Sequence, residues 1–594
     1  MKTDPRTEYE ERLEKRRSAH AKCELRHTWI GNLRLVVFLA AGVMGWFAFK
    51  SQTLSPWWLL MPGCCFVALI VWHGRVLQKL RKLQRAVDFY ERGLRRLNEQ
   101  WMGTGSPGSQ FEDSSHTYAQ DLDLFGKGSL FELLSSARTL RGEQVLASWL
   151  KSPARLEEIR SRQEAVNVLR SSLDLREDLA GLGDDIRTGV SPDPLIKWGR
   201  ERILLQSVPL RILAALIAAL ALMALAFWAA GGERLWFFLA LSVEIIFIYS
   251  QRRSVQKAVS GAERAGQDLQ MLSHILERLE REEFKTGYLR KLRNALNRDG
   301  RPPSRLIARL NFLIVLLDSR RNLLFAPIAF VLLWALQLAF FLEDWRRKYG
   351  HAIEGWLEAI AELEALTSLA GYAFEHPSDP FPKVKDQPPH FDGRGLGHPL
   401  LPESRCVRND VSLDEENRIL VVSGSNMSGK STLLRTVGIN TVLALAGAPV
   451  RAHSLSIAPF AVGASIRITD SLQEGTSRFY VEITRLKQIV TLADGPIPLL
   501  FLLDELLHGT NSHDRRIGAE AVIRGLAKRR AIGLLTTHDL ALSNIADVLS
   551  PTASNVHFED HIEDGHIAFD YRLRPGVVKK SNALELMRSV GLEV

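Results

Sequence analysis

The apolar positions of this chain gather into long runs. Four stand out: Leu33 to Phe49, Leu54 to Trp72, Ile212 to Ala230 and Leu235 to Tyr249. Each is close to the ~20 residues that a helix needs to cross a hydrocarbon core. They form two pairs with short, nearly uncharged gaps; Ser55-Pro56 marks the turn of the first, and Gly231-Gly232-Glu233-Arg234 separates the second. Trp46, Trp57, Trp58 and Trp72 sit near the ends, where interfacial aromatics are found. Basic residues cluster outside each pair: Arg26 and Arg34; Arg75, Lys79, Arg81 and Lys82; Lys197, Arg200, Arg202 and Arg211; Arg252, Arg253 and Lys257. This pattern predicts two membrane hairpins with both termini on the cytoplasmic side. Four buried core helices are the alternative, which the twice-occurring charge asymmetry disfavours. A fifth apolar segment, Leu323 to Leu342, carries Pro327 and Gln337 and ends in Glu343-Asp344. It reads as a buried helix of the soluble part.

Between the hairpins the period changes. Arg75 to Trp101 and Arg252 to Arg293 show helical spacing with many charges, as in long cytoplasmic helices that pair as a coiled coil. Gly103 to Ser115 reads as a Gly/Ser-rich linker, and the Pro- and Gly-rich stretch His376 to His398 as a domain boundary. The N-terminal MKTDPRTEYEERLEKRRSAHAK has no apolar core of a signal peptide and reads as a solvated helix. At 594 residues the chain exceeds one ordinary core, so two to four domains are expected. Its composition, 24% charged and 46% hydrophobic, argues against global disorder. The net charge of +9 suits nucleic acid or anionic lipid, but equally the cytoplasmic flanks of membrane helices. The four cysteines, Cys23, Cys64, Cys65 and Cys406, have no metal-ligand spacing, which fits a reduced compartment.

The chemistry lies near the C-terminal end. Arg418 to Ser423 is a short β-rich run that leads into Gly424-x-x-x-x-Gly429-Lys430-Ser431, and an apolar helical pattern follows from Leu433. Strand, glycine loop and helix together make a phosphate-binding loop: successive N–H groups face the phosphates and the helix N-terminus adds positive potential. The candidate contacts are Gly424, Ser425, Asn426, Met427, Ser428, Gly429, Lys430, Ser431 and Thr432. Lys430 would reach the β- and γ-phosphates and Ser431 would hold Mg²⁺. Pro498 to Leu503 is an apolar strand closed by Asp504-Glu505. Their order assigns Asp504 to the metal and Glu505 to the attacking water. Ala531 to Leu535 is another strand-like run, closed by Thr536-Thr537-His538-Asp539, where His538 would sense the γ-phosphate.

At this point a resemblance appears. GSNMSGKST (Gly424 to Thr432), EGTSRFYVEITRL (Glu474 to Leu486), DELLHGTNSHDR from Asp504 and TTHDLAL (Thr536 to Leu542) resemble the ATPase domain of the MutS family of mismatch-repair proteins. The second and third blocks are the specific ones. The resemblance implies an α/β P-loop NTPase domain of the ABC type, with ATP and Mg²⁺ as cofactors. It also implies a homodimer through the ATPase domains, in which Ser477 completes the partner's ATP site in trans. Asn426 matches the family's P-loop Asn. Lys579 to Leu592 resembles the closing helix-turn-helix that helps dimerise the ATPases. Asp121 to Phe131 and Arg141 to Gln163 resemble the start of the MutS core and lever helices, while Met1 to His116 shows no similarity. One departure stands near Val407 to Asp410, where the family offers an aromatic to stack on adenine and this chain has Cys406.

The expected layout is a charged N-terminal helix (1–32), hairpin 1 (33–73), a cytoplasmic helix and linker (74–118), core helices (119–208), hairpin 2 (209–250), lever helices (251–375) and the ATPase domain (376–594). Asp88-Phe89-Tyr90-Glu91 imitates the mismatch-reading Phe motif of MutS proteins, but it lies in a charged helical stretch directly after a hairpin. No room is left for a mismatch domain, and no nuclease motif appears. The expected function is an ATP-driven switch in the plasma membrane, with the ATPase on the cytoplasmic face. Its expected partners are membrane lipid, DNA bound without mismatch reading, or an unidentified protein. The alternatives are ABC-like transport and protein remodelling. Glu244 is the one intramembrane group that points to a transport pathway.

Overall fold

The charged N-terminal stretch and the first apolar run form one unbroken helix, α1 (Pro5–Phe49). Asp4 caps it by accepting the Thr7 N–H at 3.3 Å, and Pro5 sits at the first helical position, where a missing N–H costs nothing. After a short turn the second apolar run likewise continues into its charged flank as α2 (Leu60–Leu97). Cys23, Ile30, Leu69 and Val76 form the core between the two helices. Phe89 is buried beside the rings of Tyr9 and Tyr90, at centroid distances of 6.4 and 5.1 Å. It is therefore a packing residue of the helix pair.

The structure, a computed structural model, describes residues 4–51, 53–181, 192–284, 286–296, 300–322, 325–425, 427–467, 478–507, 510–538, 540–563 and 566–578. The chain divides into two compact units that cut across the linear order: residues 1–136, 143–173 and 365–594 form one, and residues 137–142 and 174–364 the other.

In the first unit, α3 (Leu130–Leu134), α4 (Leu140–Lys151) and α5 (Leu156–Leu169) follow the hairpin. The stretch expected to be a free linker is ordered. The Phe111 ring packs on Phe125 and Phe131, at 6.0 and 5.5 Å, and the Gly105 N–H donates to Glu132 at 3.2 Å. One aromatic among the Gly and Ser residues is enough to anchor it.

In the second unit, α6 (Leu173–Ala180) and α7 (Pro192–Arg200) precede the second hairpin. Its helices are α8 (Val208–Ala229) and α9 (Leu235–Arg281), and α9 again runs from an apolar stretch into a charged one. Small residues of α8, Ala214, Ala218 and Ala221, are buried at helical spacing. Glu244 of α9 is fully buried, and neither carboxylate oxygen has a hydrogen-bond partner among the described residues. Helices α10 (Gly287–Leu296) and α11 (Pro303–Asp318) follow.

The fifth apolar segment departs from expectation. It forms two helices, α12 (Ala326–Val331) and α13 (Trp334–Tyr349), and Leu333 between them has a left-handed φ of 49°. It is buried only in part: Leu336, Leu338 and Ala339 are inside, while Ile328 and Phe330 are exposed. The last long helix of this region, α14 (Ile353–Glu375), carries Glu364, whose carboxylate accepts the N–H groups of Arg138 and Thr139 at 3.0 and 3.2 Å.

Among the described residues, four helices are long and apolar enough to cross a membrane: those spanning Pro5–Phe49, Trp57–Leu97, Val208–Ala229 and Leu235–Arg281. Their apolar stretches lie on the surface. Leu35, Phe38, Val43, Leu216, Met223 and Ile246 are all exposed.

Two sheets complete the first unit. A small one has the order β1-β5-β2-β3, from β1 (Lys383–Val384), β2 (Phe391–Leu396), β3 (Asn409–Leu413) and β5 (Ser454–Ile457). The larger has the order β10-β9-β4-β8-β7-β6, from β4 (Ile419–Ser423), β6 (Ala461–Ser465), β7 (Leu499–Leu503), β8 (Ala531–Thr537), β9 (Ala553–Glu563) and β10 (His566–Pro575). Strands β9, β4, β8, β7 and β6 pair in parallel, and β10 closes the edge antiparallel. Strands β4, β7 and β8 are buried throughout, so they read as continuous apolar runs and not as alternating ones. Helices α15 (Lys430–Ala446), α16 (Arg478–Leu492), α17 (Ser512–Ala527) and α18 (Leu540–Val548) connect the strands.

Candidate nucleotide site

Ligands of open α/β sheets bind outside the carboxyl ends of the strands. Here β4, β8 and β7 are neighbours, and their carboxyl ends carry the glycine loop, Thr536 to His538, and Asp504-Glu505 respectively. Residues distant in sequence thus meet at one edge.

The loop takes its shape from backbone that glycine tolerates best. Gly424 has φ 151° and Gly429 φ 103°. A Cβ on Gly429 would stand 3.1 Å from the Tyr571 ring, and one on Gly424 2.8 Å from the Ser428 hydroxyl oxygen. Lys430 opens α15. Its ammonium donates to the carbonyls of Gly424 and Ser425, at 2.9 and 2.8 Å, and lies 3.8 Å from Glu505 Oε1. Burial pulls Lys430 below its ordinary pKa, while the charges of Glu505 and Asp504 oppose that shift.

The acidic pair is held by its neighbours. Thr536 donates a short hydrogen bond to Asp504, and the Glu505 N–H donates to Thr536 Oγ1 at 3.1 Å. Glu505 sits in a left-handed conformation, φ 44°, and its carboxylate is 3.3 Å from His538 Nδ1. Lys430, Glu505 and His538 therefore share one cluster. Gly429, Lys430, Ser431, Thr432, Met427 and Glu505 line a cavity of about 750 Å³. Ser425 and Asp504 act at its edge through the contacts described, and Ser428 is buried behind the loop. Asn426, Ser477 and the tail from Lys579 lie outside the described residues.

Several residues of this site escape a reading of the sequence. Tyr571 and Phe558, from β10 and β9, put aromatic rings on the cavity wall. Tyr571 has a left-handed φ of 54°, and Asn409 fixes it: the Asn409 amide donates to the Tyr571 carbonyl at 2.9 Å and accepts the Leu573 N–H at 2.8 Å. An aromatic from β10 thus lines the same cavity as Cys406. Cys406 also lines the cavity, and its sulfur accepts the His398 N–H at 3.3 Å. Burial pushes the His398 imidazole down to about 4, with Arg435 adding to the shift, so it faces the cavity neutral. Asp121 and Asp123 brace the site from outside. Asp121 accepts the N–H groups of Ile466 and Arg467, both at 2.7 Å, and Asp123 pairs with Arg435 of α15 at 3.0 Å. Their stretch, Asp121 to Phe131, stands out in the sequence only by its resemblance to the MutS core, which gives neither carboxylate a contact with the site.

The family model for MutS domain V matches residues 420–593, and that for MutS domain III matches residues 114–370, together well over half of the chain. Among curated relatives, an endonuclease MutS2 of Thermus thermophilus is 35% identical over 203 residues, which are 33% of this chain and 25% of that protein. A DNA mismatch repair protein MutS 2 of Halobacterium salinarum is 35% identical, over 39% of this chain and 27% of its own length. A DNA mismatch repair protein MutS of Natronomonas pharaonis is 33% identical, over 40% and 28% respectively. The chain spans about a quarter of the length of these relatives.

Proposed function

The chain belongs to the MutS family, and on that premise we propose that it is a membrane-anchored, dimeric ATPase that works as an ATP-driven switch. The observation that carries this reading is the cluster of Lys430, Glu505 and His538 at the ends of three adjacent strands, over a cavity large enough for a nucleotide. The loop from Gly424 to Thr432 takes the phosphates on its N–H groups. Lys430 moves from the loop carbonyls to the phosphate oxygens. Glu505 orients the attacking water and accepts its proton, and His538 holds the Glu505 carboxylate in place. The Ser431 hydroxyl and the Asp504 carboxylate are hard oxygen donors that fit Mg²⁺, which when bound neutralises charge on the phosphates. Tyr571 offers a flat face to the base. Ser477 completes the partner's site.

Membrane anchoring draws support from the four long helices with exposed apolar stretches. Placement in the plasma membrane, with the ATPase on the cytoplasmic face, draws support from the basic flanks, which favour that orientation. The substrate of the switch is DNA, bound through basic surface without mismatch reading, since Phe89 is committed to the helix pair. The test is ATPase activity of the detergent-solubilised dimer with and without duplex, branched and single-stranded DNA. Stimulation that falls steeply with salt supports this reading, and indifference to every DNA removes the DNA part of it. A second reading, ABC-like transport, rests on Glu244, which is buried and has no hydrogen-bond partner among the described residues. It requires hydrolysis in liposomes that responds to Glu244→Gln.

A further inference from the structure

The last turn of α2 reaches the wall of the nucleotide cavity by two routes, although residues 1–113 lie outside both matched family domains. The direct route is short. Glu99, just past the helix end and in a left-handed conformation of φ 59°, accepts the Glu403 N–H at 2.8 Å. Glu403 begins the turn whose next residues, Ser404, Arg405 and Cys406, line the cavity. The second route passes through the buried carboxylate of Glu375. Arg96, one turn before Glu99, grips Glu375 through two hydrogen bonds of 2.7 and 2.6 Å, and the Tyr9 hydroxyl donates to the same carboxylate at 3.0 Å. The chain continues from Glu375 to Asp379, which lies 3.9 Å from Arg451, and Arg451 makes a short contact with the Glu403 carboxylate. Both routes start on α2 and converge on Glu403, the first residue of the cavity-lining turn.

We propose that Glu99, supported by Arg96, is a positioning residue for the nucleoside wall of the ATP site, so that the first hairpin's own helix is part of that site. The inference rests on the nucleotide reading given above. The phosphates are taken by the loop from Gly424 to Thr432, which leaves the nucleoside to the remaining walls, among them the 404–406 turn. A displaced turn would therefore weaken binding of the nucleoside and spare the phosphate contacts and the water-activating cluster.

The test uses the full-length protein in detergent. Affinities for ATP and for inorganic tripolyphosphate are measured by competition against a fluorescent ADP analogue, alongside the turnover number. Losing one hydrogen bond to a charged group predicts that Glu99→Ala weakens ATP binding about 3- to 10-fold. Tripolyphosphate affinity and turnover at saturating ATP should stay within about twofold. Glu99→Gln keeps an oxygen that can accept the Glu403 N–H and should restore most of the ATP affinity. Arg96→Lys, which keeps the charge and loses the bidentate grip, should shift ATP affinity in the same direction as Glu99→Ala. Unchanged ATP affinity in Glu99→Ala overturns the proposal. So does an equal loss for ATP and tripolyphosphate, which would indicate general disruption. If the wild-type protein binds tripolyphosphate but shows no preference for ATP, the nucleoside wall does not exist and the proposal fails. If it binds neither, the nucleotide reading fails with it.

Discussion

Replacing Glu505 by Gln should separate binding from turnover. The carboxylate stands 3.8 Å from the Lys430 ammonium and 3.3 Å from His538. At an effective dielectric of about 20, a charge pair at that first distance is worth about 4 kcal/mol. The Glu505 side chain is 26% exposed, so water screens much of this, and about 1 kcal/mol is the reasonable net figure. Lys430 also keeps its hydrogen bonds to Gly424 and Ser425, so the loop retains its shape. Glu505→Gln releases the attraction that competes with phosphate for Lys430. ATP should then bind about fivefold more tightly, the equivalent of that 1 kcal/mol. The amide cannot accept a proton from water, so the rate of the chemical step should fall by about two to four orders of magnitude. Equilibrium binding of a fluorescent ATP analogue reads the first effect, and single-turnover hydrolysis with excess enzyme reads the second. Near-wild-type turnover would refute the role of Glu505. Weaker ATP binding would refute the competition for Lys430.

Other expectations follow from the same contacts. Lys430→Ala should weaken ATP binding by roughly 2 kcal/mol, the worth of a hydrogen bond to a charged group, as read by equilibrium binding. Ser477→Arg and Lys430→Ala, each inactive alone, should regain part of the ATPase activity when mixed under subunit exchange, because the mixed dimer keeps one intact composite site; demonstrated heterodimers without activity would reject the trans role. Glu375→Gln leaves Arg96 buried without its counter-charge and should destabilise the helix pair by about 3 kcal/mol, seen as faster proteolysis between α1 and α2. Burial pushes the Glu364 carboxyl up to about 7 from an ordinary 4.5, against hydrogen bonds from Thr139 and Arg138 that favour its charge. Its stabilisation is therefore complete below about pH 4.5 and is lost as the pH rises through about 7. In Glu364→Gln that decline in thermal stability should flatten, and an unchanged slope would count against the assignment.

The parts of the site that were legible in the sequence are local. Strand, glycine loop and helix occupy one continuous stretch, and Asp504-Glu505 closes an apolar strand with no other use for two carboxylates. The convergence of β4, β7 and β8 was legible only through the family resemblance, because parallel pairing with crossovers leaves no mark on spacing. Tyr571 was hidden for the same reason: it comes from an antiparallel edge strand far along the chain, and its orientation depends on Asn409 in the other sheet. Arg96 and Glu375 look like ordinary helix charges until the fold buries them together. The break at Leu333 carries no glycine or asparagine to announce it, so the fifth apolar segment reads as one helix.

The continuity of α1 has a mechanical consequence. At 45 residues the helix is a rod of roughly 68 Å. It has no joint between the charged part that carries Tyr9 and the apolar stretch from Leu35 to Phe49, and neither Gly31, Gly42 nor Gly45 interrupts it. A tilt of about five degrees imposed at Tyr9 would therefore displace the far end, about 60 Å away, by about 5 Å, close to the pitch of one helical turn. Proteins that separate a cytoplasmic engine from its anchor with a flexible tether lose such movement in the slack. In the membrane-anchored switch proposed above, α1 and α2 would brace one another as twin struts, and movement generated at the base would arrive at the tip as displacement.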